Sequence, residues 1–325
     1  MTSAWLEPER FALRHHLGAI QRELRPLAHT TPLGAGMGEA VAARWAAQMH
    51  WPDRPVEADE VVLCGSAREA AALALATLLK PGDVLLLAHP CEACAPAIAL
   101  GQGAAFVDVG RCVDGTVDRL AAERAAAAHP GAVVWASAPA YTAADDTLVW
   151  QGVSRIRALV CDMQRALWPS SLPAASACLV ALRDPDQPAD AVLHAVVADR
   201  SAAHTLQAIW GPAQVPTGQL RHAYAVLSGW QADGTWPAAT RSAIAAEGER
   251  LGQLARAWPG AAVYLTGGAS LAIACRAGDP AELGKRLRQE TPVLAAYGAH
   301  PMRNLLVVDL AAGGALCQRQ IAPLV

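Results

Sequence analysis

Two short constellations in this 325-residue chain have the residue types to hold an anionic, ring-bearing ligand. Gly65-Ser66 closes the apolar run VVLC and opens a long Ala/Leu-rich stretch. Free N–H groups at a helix start attract an anion, and a serine hydroxyl adds a donor. The plainer reading of the same residues is an N-cap serine, worth about 1 kcal/mol. Asp162 ends the apolar run RALVCD. A carboxylate at the C-terminal edge of a parallel sheet lies where such folds take ligands, and it can pair with a protonated ring nitrogen. The plainer reading is a strand-end cap or a surface ion pair.

Three further patterns carry less chemistry. Cys91 and Cys94 form a C-x-x-C with His89 beside them, a spacing used by redox pairs and by half of a metal site. No second C-x-x-C and no H-x3-H follows, so a closed zinc site is not supplied locally, and small buried thiols are the simpler reading. Gly34, Gly36 and Gly38 match a dinucleotide fingerprint in glycine count only, because no apolar strand precedes them. The chain has two lysines, Lys80 in the turn KPGD and Lys285 among charges in AELGKRLRQE, and both read as exposed.

These residues need a scaffold, and hydrophobic periodicity supplies one. Residues 8–27 read as a helix stopped by Pro26, and a second helix spans about 38–49. From residue 61 short apolar runs alternate with helical stretches: EVVLCGS, VLLLAHP, AAFVDVG, GAVVWASAP, RALVCDM, ACLVAL and AVLHAVV as strands, with helices after the first four. That alternation implies an α/β fold with a mostly parallel sheet covered on both faces. Near Ser228 the pattern changes, and the remainder reads as a small α+β unit with strands AAVYLTGG, LAIACRAG and NLLVVDL. The expected organisation is an N-terminal arm over 1–30, a large domain over 31–228 and a small domain over 229–325.

Composition excludes several function classes. The net charge is −3, without a basic run interleaved with aromatics, so nucleic acid is not an expected partner. The longest apolar stretch, AAALALATLL, is too short to span a bilayer. The N-terminus has charges throughout, unlike a signal peptide. A cytoplasmic location is expected, with the eight cysteines mostly reduced.

Taken in order, the segments resemble the bacterial ornithine/lysine/arginine decarboxylases, pyridoxal-phosphate (PLP) enzymes of the aminotransferase fold, fold type I. The resemblance runs over roughly residues 30–310 and rests on VVLCGSAREAAALALATLLKPGDVLLL, on GAVVWASAPAYTAADD, on LVCDMQRALWPSSLP and on ADAVLHAVVADRSAAHTLQA. It implies that Gly65, Ser66 and Ala67 stand at the phosphate-binding turn, the last in place of a threonine. Asp162 stands where an acid meets the pyridine nitrogen, and Gln164 lies in the segment that is Asp-Glu-Ala-His in the family. The ring-stacking imidazole falls at Glu92. Anchored on Gln207-Ala208, the family's His-Lys pair falls on Asp199 and Arg200.

The resemblance therefore implies a scaffold without its chemistry. PLP decarboxylation proceeds through imines to a lysine, and a guanidinium stays protonated and forms none. Asp199 beside a phosphate at about 5 Å and an effective dielectric near 20 costs on the order of 3 kcal/mol. The expected cofactor is none, or non-covalent pyridoxal 5′-phosphate. The expected protein is a non-catalytic homologue acting as a homodimer or as a heterodimer with a related PLP-fold chain, since this fold completes its site across a two-fold axis. The alternative is an enzyme that uses PLP or another phospholigand without a Schiff-base lysine.

Overall fold

The computed structural model describes residues 36–89, 91, 94–112, 116–138, 145–166, 170–182, 192–210 and 215–232, short helical pieces between 245 and 257, and four strands beyond residue 260. The expected helix over 8–27, Gly34, Glu92 and Lys285 lie outside these residues.

Seven strands form one sheet: β1 (Val61–Cys64), β2 (Val84–Leu87), β3 (Ala105–Asp108), β4 (Ala132–Ser137), β5 (Ile156–Asp162), β6 (Ala177–Leu182) and β7 (Leu193–Ala198), in the order β1-β7-β6-β5-β4-β2-β3. The pairs β5–β6, β4–β5, β2–β4 and β2–β3 are parallel, while β7 is antiparallel to both β1 and β6. Six strands thus share one direction and β7 alone runs against them. The strands β4, β6 and β7 are buried at every residue, as expected of a sheet covered on both faces.

Helices stand where the periodicity predicts ahead of the sheet and after the first four strands: α1 (Met37–Ala46), α2 (Ala67–Leu78), α3 (Cys94–Gly101), α4 (Arg119–Ala128) and α5 (Asp146–Gln151); α6 (Arg200–Trp210) and α7 (Thr217–Ala232) follow β7. Ser66 caps α2, Asp118 caps α4 and Asp145 caps α5, each accepting a backbone N–H of the first turn. Helix α2 ends where Pro81 and Gly82 turn the chain, with Gly82 at φ 88°.

Alternate residues of each strand enter different cores. Val133 and Trp135 of β4, Val160 of β5 and Val196 of β7 pack with Leu73 and Leu75 of α2 on one face. Val134 and Ala136 face Ala122 and Ala126 of α4 and Trp150 of α5 on the other. The rest of that second face, under β1, β7 and β6, is covered by Val41 and Trp45 of α1 and Ala223 and Leu227 of α7. Alanines on the helices let their backbones approach the sheet, so a core with two phenylalanines in the whole chain still closes around Trp135 and Trp150.

The turn Ala58–Glu60 leads into β1 and is pinned by Glu60, which is 2 % exposed and accepts bonds from Arg54, Trp51 Nε1 and the Glu57 N–H. The Arg54 guanidinium holds the Glu60 carboxyl below the usual carboxylate range. A separate antiparallel sheet, order β10-β11-β9-β8, is built from β8 (Ala261–Leu265), β9 (Ser270–Cys275), β10 (Leu294–Tyr297) and β11 (Leu305–Asp309). Three of its strands match the expected runs; β10 does not, because LAAY is short and lacks β-branched residues. Helix α7 continues four residues past the expected boundary at 228, to Ala232.

Candidate functional site

The C-terminal ends of β1 to β6 form one edge of the sheet, and the polar residues gather there. Gly65-Ser66 follows β1, His89 follows β2, Asp108 ends β3, Ser137 ends β4 and Asp162 ends β5. Ser66 and Asp162 therefore lie on a common edge, as their strand-end positions predict. His194, at the start of the reversed strand β7, pairs with Cys64 and Ala181 and joins the same edge.

At the start of α2 the donors are engaged from within. Ser66 Oγ accepts the Glu69 N–H at 3.2 Å, and the Gly65 N–H donates to Glu69 Oε2 at 2.7 Å. Gln219 Nε2 of α7 donates to the Gly65 carbonyl at 3.2 Å. A Cβ on residue 65 would lie 3.1 Å from Glu69 Oε2, a close contact from which the carboxylate would have to shift by a few tenths of an ångström. Ala67 begins the helix, half-buried. Glu69 escapes attention in the sequence, yet its signal was there: Ser66-x-x-Glu69 is a capping-box spacing.

A buried polar chain runs beside it. Asp162, 3 % exposed, accepts the Gln164 N–H at 3.1 Å and Gln164 Nε2 at 3.3 Å. Gln164 Oε1 accepts in turn from His194 Nδ1 at 2.7 Å, so that nitrogen carries the hydrogen. Ser137 pairs with Asp162 across β4–β5 and has the strand parity of Val133 and Trp135, the face Asp162 shares with Val160. Its Oγ is buried with no hydrogen-bond partner among the described residues. His194 is the lone polar residue of an apolar run, and a buried imidazole requires a partner.

Farther along the edge, Arg111 grips Asp146 with two bonds of 2.6 and 2.8 Å and donates to the carbonyls of Ala88 and His89. Burial pushes the Asp146 carboxyl up, opposed by the Arg111 guanidinium. His89 Nδ1 meets Asp108 Oδ2 at 3.1 Å. These contacts tie Ala88 and His89 after β2 to Asp108 and Arg111 of the β3 end and to Asp146 at the start of α5. Neither Arg111 nor Asp146 is distinguished by sequence pattern, because their pairing spans 35 residues.

The structure does not bring Asp199 and Arg200 to this edge, which corrects the expectation that they fill the lysine and phosphate positions. Strand β7 runs from Leu193 opposite Leu182 to Ala198 opposite Ala177, so its end lies at the N-terminal edge of β6. There Asp199 caps α6, its Oδ1 accepting the Ala202 N–H at 3.0 Å. Arg200 pairs at 2.6 Å with Asp59, in the turn before β1, and is 63 % exposed. Lys80 is exposed at that same N-terminal edge, four residues before β2. Gln207-Ala208, used as the anchor, lie inside α6.

Other expectations resolve simply. Gly36 precedes α1 and Gly38 lies in it, with open space around both. Cys91 is buried ahead of α3 and Cys94 is its half-buried first residue. Among the described residues no group of three His, Cys, Asp or Glu could hold a metal ion, and no helix is long and apolar enough to cross a membrane.

The donor set at the edge, a helix-start N–H, a serine hydroxyl and a strand-end carboxylate, is of the type that suits a phosphorylated ring. Among the described residues that edge offers no lysine amine. A non-covalent ligand would have to displace Glu69 from Gly65 and Gln164 from Asp162.

No protein-family model and no curated protein matches the chain in sequence. Solved structures do match in three dimensions. Histidinol-phosphate aminotransferase from Sinorhizobium meliloti, in complex with pyridoxal-5′-phosphate, superposes with a TM-score of 0.66 at 14 % identity, over 99 % of this chain and 90 % of its own. N-succinyldiaminopimelate aminotransferase from Mycobacterium tuberculosis gives 0.68 at 18 %, over 99 % and 96 %. Cystalysin from Treponema denticola, which contains a pyridoxal 5′-phosphate cofactor, gives 0.65 at 12 %, over 96 % and 86 %. With the mixed, mostly parallel seven-stranded sheet, these likenesses identify the chain's architecture as the aminotransferase-like fold type I of PLP-dependent enzymes.

Proposed function

We propose that this chain is a non-catalytic member of the fold, a homologue of the ornithine/lysine/arginine decarboxylases that works as a structural or regulatory subunit beside a second copy or a related chain. The observation that supports the reading is where its amines lie. Of the two lysines, Lys80 is at the wrong edge of the sheet, and Lys285 is far along the chain in a charged stretch. The segment RDPDQPADA, between β6 and β7 in the sequence, contains none. Arginine does not replace lysine in this chemistry, since a guanidinium remains protonated.

The test is titration of the purified chain with PLP, followed by borohydride reduction and peptide mass spectrometry. The expected result is no stoichiometric adduct on either lysine. A specific adduct on Lys80 or Lys285, with the visible absorbance of an aldimine, overturns the reading in favour of a PLP enzyme.

A second reading is a non-covalent holder of PLP or another phosphate ester. Ser66, Asp162 and the unpartnered Ser137 hydroxyl favour it. PLP uptake that dialysis reverses completely distinguishes this reading from the first.

A further inference from the structure

We infer that His194 is a positioning residue for Asp162: acting through the Gln164 amide, it fixes that carboxylate as an ionised acceptor, so that the ligand chosen there is one that brings an N–H donor. The inference rests on the second reading above, a non-covalent holder, and adds the residue that sets its choice of ligand. Sheet order makes a bridge necessary. His194 is on β7 and Asp162 on β5, with β6 between them. At the usual strand spacing that is a span of about 9–10 Å. Both residues belong to one face of the sheet: His194 has the strand parity of Val196 and Asp162 that of Val160, and those valines pack in the same core. Gln164, two residues past the end of β5, crosses the gap with its amide.

The chain of bonds has a direction. His194 Nδ1 donates to Gln164 Oε1 at 2.7 Å, and Gln164 Nε2 donates to Asp162 Oδ1 at 3.3 Å. The Gln164 backbone N–H donates to the same oxygen at 3.1 Å. An amide carries an acceptor at one end and donors at the other, so its partner on one side decides what it offers on the other. With a hydrogen on His194 Nδ1, Gln164 turns its NH2 toward Asp162, and two N–H groups aimed at one carboxylate oxygen stabilise the ionised form. The opposite orientation would put Oε1 against Asp162, which could meet it only as the protonated acid. The imidazole tautomer on β7 and the carboxylate proton on β5 are therefore coupled.

The ligand class follows from what is exchanged. A ligand that takes the place of Gln164 Nε2 on Asp162 replaces one N–H donor by another, so the buried carboxylate stays paired. A cationic ring N–H adds a charge-assisted bond. A ring without a donor leaves the carboxylate short of a partner in a buried site, which is unfavourable. A protonated nitrogen heterocycle is therefore preferred over a carbocyclic ring, and His194 maintains that preference by keeping the Gln164 amide in one orientation.

The experiment titrates the full chain by calorimetry with two probes: pyridoxine 5′-phosphate, which has the ring nitrogen and no aldehyde, and benzyl phosphate, which has neither. Affinity should favour pyridoxine 5′-phosphate at least about tenfold, the scale of one hydrogen bond to a charged group. In His194→Phe that ratio should fall at least about fivefold while benzyl phosphate binds as before. His194→Asn, whose Nδ2 stands where the imidazole Nδ1 does, should keep the ratio. General loss of structure would weaken both probes together, so the ratio separates positioning from folding. Long-range 1H–15N spectra of the ligand-free chain give a second readout: His194 should carry its hydrogen on Nδ1, and Gln164→Leu should move it to Nε2. A ratio that does not fall in His194→Phe, or a His194 Nδ1 without hydrogen in the original chain, overturns the inference. If neither probe binds the original chain, the holder reading fails by itself, and the spectra decide the positioning role.

Discussion

At the scale of single residues, direction of chain decides more than residue type. Arg200 has the identity and spacing of a substituted lysine, yet it stands at the far edge of the sheet, exposed and paired with Asp59. Arg200→Lys should therefore create no PLP adduct at residue 200, checked by borohydride trapping and mass spectrometry. Its effect on stability should stay within about 1 kcal/mol, because exposed ion pairs contribute little. Adding Asp199→His and Glu92→His should not rescue it, since the Asp199 side chain caps α6 at that edge.

His222 of α7 supplies a pH dependence. Burial lowers its pKa from the ordinary 6.5, and its Nε2 has no hydrogen-bond partner among the described residues. The folded state therefore takes up the proton less readily than the unfolded chain. That contribution to stability is present above pH 6.5 and is lost as pH falls through the folded pKa. Denaturation midpoints should drop between about pH 7 and about pH 5, and His222→Gln should flatten the drop. An unchanged slope in the variant would assign the loss to other groups. Glu60, held low by Arg54, adds a loss at more acid pH, in the carboxylate range.

At the scale of elements, helix starts were legible because capping is local. Ser66 before an Ala/Leu run and Asp118 before RLAAERAAAA state their roles within four residues. Ser66→Ala should cost about 1 kcal/mol in urea unfolding, the usual worth of an N-cap. Glu69 occupies the third position of the same helix and was legible by the same spacing, although its partner proved to be Gly65. Strands were legible where both faces are buried, since β4, β6 and β7 read as apolar runs broken only by Ser137 at the end of β4 and His194 in β7. Trp135 at the centre of β4 is 1 % exposed, and Trp135→Ala should cost about 3–5 kcal/mol, read as a large fall in the denaturant midpoint. The strand β10 was not legible, because four residues of LAAY owe their conformation to pairing with β11.

At the scale of the whole molecule, the proposed role requires association. A homodimer, or a heterodimer with a related chain, is the expected state at micromolar concentration by sedimentation; a persistent monomer in both settings would remove the subunit reading. What the sequence determined alone was the order of elements, the α/β class, the strand-end positions of Ser66 and Asp162, and the scarcity of lysine. Each depends on local periodicity, on a cap, or on counting. Only the tertiary structure decided that β7 runs antiparallel, because strand direction is set by which neighbours pair and not by the residues of the strand. That one reversal carries Asp199 and Arg200 to the opposite edge and brings His194 to Gln164 instead. The same holds for Arg111 and Asp146, whose ion pair closes over 35 residues, a separation at which no spacing rule operates.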